Sequence, residues 1–290
     1  MNTKKWLLKN THSLSGKLVA VSGSTGGIGI ELLKYLACLD ADLLLLDRNV
    51  IKANALMDAL KKEHPSLCVR HITIDLENVE SVKSALPMIL DASPDFLVLN
   101  AGAYHIPRCK SALNLENVFQ INFLSPYFLA HELKESGAHI VAVSSIALSY
   151  SKTDQNDVDF SSRTKSNLIY GNSKRFLTSA LFSLFENSEK LSIVHPGITF
   201  TNITAHYPPL VFAIIKHPMK IIFMSRKKAA LSVLKGLFDH TKDGQWIGPR
   251  IFNIWGLPKK QSLSFCDKKE TAFIKKTAEN LYNQMKKADG

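Results

Sequence analysis

Tyr170 and Lys174 stand four residues apart in Tyr170-Gly171-Asn172-Ser173-Lys174. On a helix that spacing sets a phenol and an ammonium on one face, one turn apart. A lysine charge beside a phenol favours the phenolate and lowers its pKa toward the working pH, so the oxygen can exchange a proton with a substrate. The spacing alone is cheap, because Tyr282 and Lys286 repeat it. Context separates the copies. Ser144-Ser145 ends an apolar run upstream of Tyr170, and His195-Pro196-Gly197 ends another downstream. The carboxyl ends of parallel strands are where α/β folds bind ligands. Tyr282 has neither neighbour and reads as a packing residue.

A second set of residues reads as a nucleotide cradle. Ser22-Gly23-Ser24-Thr25-Gly26-Gly27-Ile28-Gly29 follows a buried apolar run and leads into a helical pattern. Glycines there let the backbone turn sharply and approach a pyrophosphate, which the helix amides and dipole then face. Asp47-Arg48 follows eighteen residues past Gly29, about where a carboxylate reaches adenosine ribose hydroxyls; a helix cap or surface pair is the alternative. Asp75-Leu76 would sit by the adenine, or simply in a turn. Asn100-Ala101-Gly102 closes a further run, its glycine letting the chain pass close to a cofactor, with a plain turn as the competing reading.

The elements that position these residues are legible as a rhythm. Leu18–Val21, Leu43–Leu46, Phe96–Leu99, Ile140–Val143 and Leu191–Val194 are short apolar runs, and Val69–Ile74 is a more mixed one. Strands buried on both faces look like this. Helix-period segments lie between them, at Ile28–Leu39, Val50–Lys62, Val79–Leu90, Leu115–Glu135 and Tyr170–Glu186. The alternation predicts an α/β fold: a Rossmann-type, doubly wound parallel sheet in three αβα layers, one domain over residues 1–290. Residues 199–225 break the pattern and read as a substrate-loop insertion, and 266–287 as a closing amphipathic helix.

In this order and spacing the motifs resemble the short-chain dehydrogenases/reductases over about Gly16 to Gly256, most of all the retinol-dehydrogenase-like and WW-domain-oxidoreductase-like members. The family's Thr-Gly-x-x-x-Gly-x-Gly matches Ser22–Gly29 with serine for threonine, and its Asn-Ala-Gly matches Asn100–Gly102. Its catalytic residues fall on Asn122, Ser145, Tyr170 and Lys174, and its Pro-Gly-x-x-x-Thr on Pro196 to Thr201. The resemblance implies an oxidoreductase that moves a hydride between NAD or NADP and an alcohol/carbonyl pair. Tyr170 would transfer the proton, Ser145 hydrogen-bond the reacting oxygen, and Lys174 hold the nicotinamide ribose. Asn122 would hold a water that relays protons, and Thr201 the carboxamide. Asp47 would repel a 2′-phosphate, favouring NAD, whereas Arg48 argues for NADP. Asp40 stands where a glycine is usual before the second strand, and Ser125 where one is frequent after Asn122.

Composition narrows the alternatives. Of the net charge of +11, a surplus of ten lies between Ala205 and Gly290, where sixteen Lys/Arg face six Asp/Glu. Solvated helix faces account for most such runs, and no interleaved aromatic pattern points to nucleic acid. An apolar stretch from Tyr207 to Met224 beside Arg226, Lys227 and Lys228 suits a flap over a lipophilic substrate, with weak peripheral membrane contact. Cys38, Cys68, Cys109 and Cys266 form no C-x-x-C pair, so no metal site is expected, and they read as reduced, mostly buried thiols of a cytoplasmic protein. Apolar faces carrying Phe119, Phe123, Phe128, Phe176, Leu181 and Phe185 suggest a homodimer. A non-catalytic nucleotide sensor is the competing function; such a protein usually loses the tyrosine or the lysine, and both are present.

Overall fold

The structure, a computed structural model, describes residues 2–150, 152–198 and 224–288. Thr201 and nearly all of the expected substrate loop lie outside the described residues.

Six apolar runs form six parallel strands: β1 (Leu18–Ser22), β2 (Asp42–Asp47), β3 (Val69–Thr73), β4 (Phe96–Leu99), β5 (His139–Val143) and β6 (Leu191–Val194). They belong to one eight-stranded sheet of order β3-β2-β1-β4-β5-β6-β7-β8. The order reverses between β1 and β4, which places a ligand crevice at the carboxyl ends of those two strands. The last two strands, β7 (Gln245–Ile251) and β8 (Trp255–Ser262), were not legible as apolar runs. They form an antiparallel hairpin at the sheet edge, with Pro249 at a register shift and the exposed Lys259 on β8, which is how an edge strand is built.

Helices cover both faces. Ala20 of β1 faces a core shared with α4 (Val79–Ala92), α6 (Ser125–Leu133), α7 (Ser166–Leu184) and α9 (Lys268–Lys287). Val19 and Val21 face a second core with α1 (Thr3–Asn10), α2 (Gly27–Ala37), α3 (Val50–Glu63) and α8 (Arg226–Leu237). The helix expected over Leu115–Glu135 is broken. A short α5 (Asn117–Phe119) runs into a π-helical turn, Gln120–Leu124, before α6, and the Ser125 amide donates five residues back to the Gln120 carbonyl. One residue is thereby inserted into the turn that carries Asn122.

The cysteines correct one expectation, and the apolar faces remove the ground offered for another. Cys38, Cys68 and Cys109 are exposed and Cys266 is only half-buried, because they lie at a helix end, before a strand and in loops. The six apolar side chains that suggested a homodimer are all buried within one chain. Helix α9 covers that side: it buries Ile274, Ala278, Leu281, Tyr282 and Met285, with Phe273 edge-on to Phe176 at 6.2 Å and Tyr282 against Phe128 at 5.5 Å. Each large side chain buried there contributes roughly 1.5–3 kcal/mol. Among the described residues, no helix is long and apolar enough to cross a membrane.

Candidate active site

The glycine turn joins β1 to α2. A Cβ on Gly29 would lie 2.4 Å from the Gly23 carbonyl oxygen, so only glycine lets the helix start this close to the turn. Gly26 caps α2 without a side chain, which leaves the first helical amides to another acceptor. The turn is locked from two sides. The Asn100 Nδ2 donates to the carbonyls of Ser22 and Gly23 at 3.1 and 3.0 Å, and the Ser22 hydroxyl accepts from the Asn100 and Ala101 amides at 3.1 Å each. On the other side the buried Asp47 carboxylate accepts from the Ser24 amide at 3.0 Å, the Thr25 hydroxyl at 2.8 Å and the Ser24 hydroxyl. Asp47 thus holds the turn as well as ending β2.

Arg48 is largely exposed and reaches Asp75 at 3.6 Å and Glu77 at 3.9 Å. Leu76 is buried, and its carbonyl accepts from the Ser125 hydroxyl at 2.6 Å; a glycine at 125 would lose this anchor. Asp47, Arg48 and Asp75 therefore gather at the carboxyl ends of β2 and β3, beside the glycine turn. Uncapped amides at a helix N-terminus, with carboxylates at the ends of the two neighbouring strands, fit a nicotinamide dinucleotide, whose pyrophosphate the amides would hold.

Ser145 follows β5, and its hydroxyl accepts from the Ala147 amide at 3.2 Å to start a 3₁₀ turn, Ile146–Ser149. Helix α7 docks on that turn through Gly171, where a Cβ would lie 2.4 Å from the Ala147 carbonyl oxygen. This approach sets Tyr170 beside the Ser145 side chain, near enough for that hydroxyl to pull the phenol's pKa down. The Lys174 ammonium is buried and donates to the Val143 carbonyl at 2.8 Å. Gly102 lies beside it, an added Cβ there being 3.6 Å from Lys174 Nζ and 3.1 Å from Asn122 Oδ1. Ser145, Tyr170, Lys174, Asn122 and the Asn-Ala-Gly turn are thus brought together at the carboxyl edge of the sheet.

The electrostatics depart from expectation. Burial pushes the Tyr170 phenol up to about 12, against the downward pull of the Ser145 hydrogen bond, with Tyr150 and Tyr104 adding to the rise. Burial brings the Lys174 ammonium down to about 8. Lys174 Nζ lies 5.9 Å from the Tyr170 ring centre and spends a hydrogen on Val143, so in this structure it does not depress the phenol. Asn122 has backbone and side-chain partners of its own. Its amide accepts from the Ala103 amide and donates to the Ala103 carbonyl, both at 2.8 Å, and donates to the Ser173 hydroxyl at 3.1 Å. It fixes the chain after Gly102 against α7.

Pro196 and Gly197 leave β6 on the same edge, Gly197 at φ +82°. Tyr104, edge-on to Tyr170 at 5.3 Å, was missed from sequence, as was Tyr150; nothing in their spacing marks them. A cavity of about 910 Å³ lined by Phe182, Glu186, His240 and Phe265 opens instead toward the amino ends of β6 and β7, away from Tyr170. Among the described residues no cluster could hold a metal ion.

A family model described as short chain dehydrogenase matches residues 17–157. Short-chain dehydrogenase TIC 32 A, chloroplastic, of Brassica napus is 30% identical over 222 residues, 68% of each chain. Retinol dehydrogenase 12 of Mus musculus is 30% identical over 205 residues, 66% of this chain and 64% of that one. L-sorbose reductase of Gluconobacter frateurii, solved with NADPH and L-sorbose, superposes with a TM-score of 0.60 at 17% identity, over 78% of this chain and 91% of its own. A parallel sheet that turns on a glycine cradle, a Ser-Tyr-Lys group at its carboxyl edge and a 30% identical relative matched over two thirds of its length lead to one assignment: the chain belongs to the short-chain dehydrogenase family.

Proposed function

We propose that this protein is a nicotinamide-dependent oxidoreductase acting on an alcohol/carbonyl pair, with Tyr170 as the proton-transferring residue. The observation that carries the reading is Tyr170 standing beside Ser145, with the buried Lys174 ammonium 5.9 Å from its ring centre. The cofactor, when bound, supplies or accepts the hydride. In reduction the Tyr170 hydroxyl gives its proton to the carbonyl oxygen; in oxidation the Tyr170 phenolate takes one from the substrate hydroxyl. Ser145 hydrogen-bonds that same oxygen and stabilises the charge that develops on it. Lys174, at about 8, titrates near neutrality and can replace the proton Tyr170 loses. Asn122 holds the segment after Gly102 in register with α7.

NAD is the preferred cofactor. A 2′-phosphate would lie near the Asp47 carboxylate, and the Arg48 charge that could hold it already faces Asp75 and Glu77. Tyr104 and Tyr150 beside Tyr170 support a lipophilic substrate, as does the relative named for retinol. Nucleotide fluorescence with NADH and NADPH, followed by a screen of aldehydes, ketones, steroids and retinoids, tests the reading. Binding plus turnover by the purified protein is expected, with higher kcat/KM for NAD(H). Binding without turnover of any substrate would favour a nucleotide sensor.

A further inference from the structure

The nearest side chain to Gly27, the first residue of α2, comes from a distant part of the sequence. A Cβ built on Gly27 would lie 2.7 Å from Arg226 Nε, 2.8 Å from its Cδ and 3.1 Å from its Cζ. The guanidinium is therefore folded over the mouth of the glycine cradle, in space that any other residue at position 27 would fill. Arg226 is brought there by α8, which lies against α2: the Tyr35 hydroxyl donates to the Lys227 carbonyl at 3.4 Å, and Ala229, Ala230 and Leu231 are buried behind it.

Helix stability does not account for a cation here. Helix α8 opens Arg226-Lys227-Lys228 with no acidic residue in its first turn, the wrong sign for the positive end of the helix dipole. A guanidinium, by contrast, suits a doubly charged phosphate diester anhydride, because its planar fork matches two phosphate oxygens.

We propose that Arg226 binds the pyrophosphate of the dinucleotide, adding a side-chain cation to a cradle otherwise made of backbone amides. This rests on the dinucleotide reading above. It also ties the stretch leaving Gly197 to the cofactor, since Met224, two residues before Arg226, donates its amide to the Ile198 carbonyl at 2.8 Å.

Fluorescence titration of the full chain tests the assignment, with Lys227→Ala as a control that removes the same charge one residue away. Arg226→Ala is expected to raise Kd for NADH, NADPH and ADP-ribose alike by about ten- to a hundredfold, the range for one charge-assisted contact. Adenosine, which lacks the pyrophosphate, should compete equally well against both proteins. Arg226→Lys should recover part of the loss, and the wild-type affinity should fall more steeply with salt than that of Arg226→Ala. Unchanged or tighter binding by Arg226→Ala would overturn the assignment, as would an equal loss in Lys227→Ala. A loss confined to NADPH would overturn it too, moving the guanidinium to the 2′-phosphate. A wild-type protein that binds none of these nucleotides would instead remove the dinucleotide reading itself.

Discussion

The chain carries two Tyr-x-x-x-Lys pairs with one spacing and opposite electrostatics. At Tyr282 and Lys286 the ammonium is exposed and donates to the phenol oxygen at 3.1 Å, while Glu132 answers both groups at 2.5 and 3.3 Å. The Tyr282 contact and then Glu132 raise the Lys286 pKa, so charge there is fully compensated. At Tyr170 and Lys174 no carboxylate is among the groups that shift either pKa, the lysine is buried, and its charge is disfavoured. A satisfied pair has nothing left to give a substrate. An uncompensated one is held ready for a partner that brings charge and hydrogen-bonding capacity with it.

The largest effect should separate the pairs by activity. Tyr170→Phe removes only the hydroxyl and is expected to fold and bind nucleotide while losing about 10²–10⁴ in kcat, the usual share of a positioned acid/base group. Steady-state turnover on any substrate the wild type accepts measures this. Near-normal activity would falsify the assignment of Tyr170.

The helices that carry the two pairs are tied together by a buried latch. Arg175, next to Lys174 on α7, donates through Nε to Glu270 at 2.7 Å, through a second nitrogen to the other Glu270 oxygen at 2.5 Å, and to the Leu148 carbonyl at 2.8 Å. Both side chains are almost fully buried. Breaking such a pair leaves one charge without its partner, so Arg175→Met should cost about 3–5 kcal/mol in urea unfolding. The double variant Arg175→Met/Glu270→Leu should recover much of it. If the double variant is no better than the single, the cost comes from lost packing and not from a stranded carboxylate.

Lys174 makes a pH-dependent prediction of the opposite sign to an ordinary salt-bridged lysine. Its folded pKa of about 8 lies below its unfolded value of 10.5, so between them the unfolded state binds more protons and stability rises with pH. The penalty for the buried ammonium is present in full below pH 8 and gone above 10.5. Lys174→Met should therefore be inactive yet more stable than wild type at pH 7, by up to about 3 kcal/mol. That gain should shrink as the pH is raised through 8 to 10.5. Lys286→Met should show no such gain, and equal pH profiles for the two variants would mean Lys174 is solvated.

How far the sequence carried is visible residue by residue. Strands buried on both faces announce themselves as apolar runs, and Ser145, Tyr170 and Lys174 sit where those runs and helices place them. Asp40 was marked as standing in for a glycine, and it adopts φ 61°, the left-handed backbone that favours one. What was not legible depends on approach between distant segments. Gly171 shows its role only against the Ala147 carbonyl, Arg175 finds Glu270 95 residues away, and Arg226 meets Gly27 across two helices. The π turn at Asn122 leaves no mark in the hydrophobic period. Exposed cysteines were misjudged because a thiol's usual burial is a tendency of composition, not of place.

The smallest effect should close the comparison from the other side. Tyr282→Phe keeps the ring against Phe128 and stacked on His131 at 3.8 Å, and deletes only the oxygen that meets Glu132 and Lys286. Those two groups can still pair with each other at 3.3 Å and lie partly in water, so the loss should be that of a single hydrogen bond, about 1 kcal/mol. Turnover should stay within a small factor of wild type, because α9 touches the catalytic helix through Glu270 and Phe273 and not through Tyr282. Paired thermal melts and kcat measurements on Tyr170→Phe and Tyr282→Phe read both effects at once. A tenfold fall in kcat for Tyr282→Phe would mean that the second pair reaches the first through α9, and that spacing, not electrostatic context, is what the two have in common.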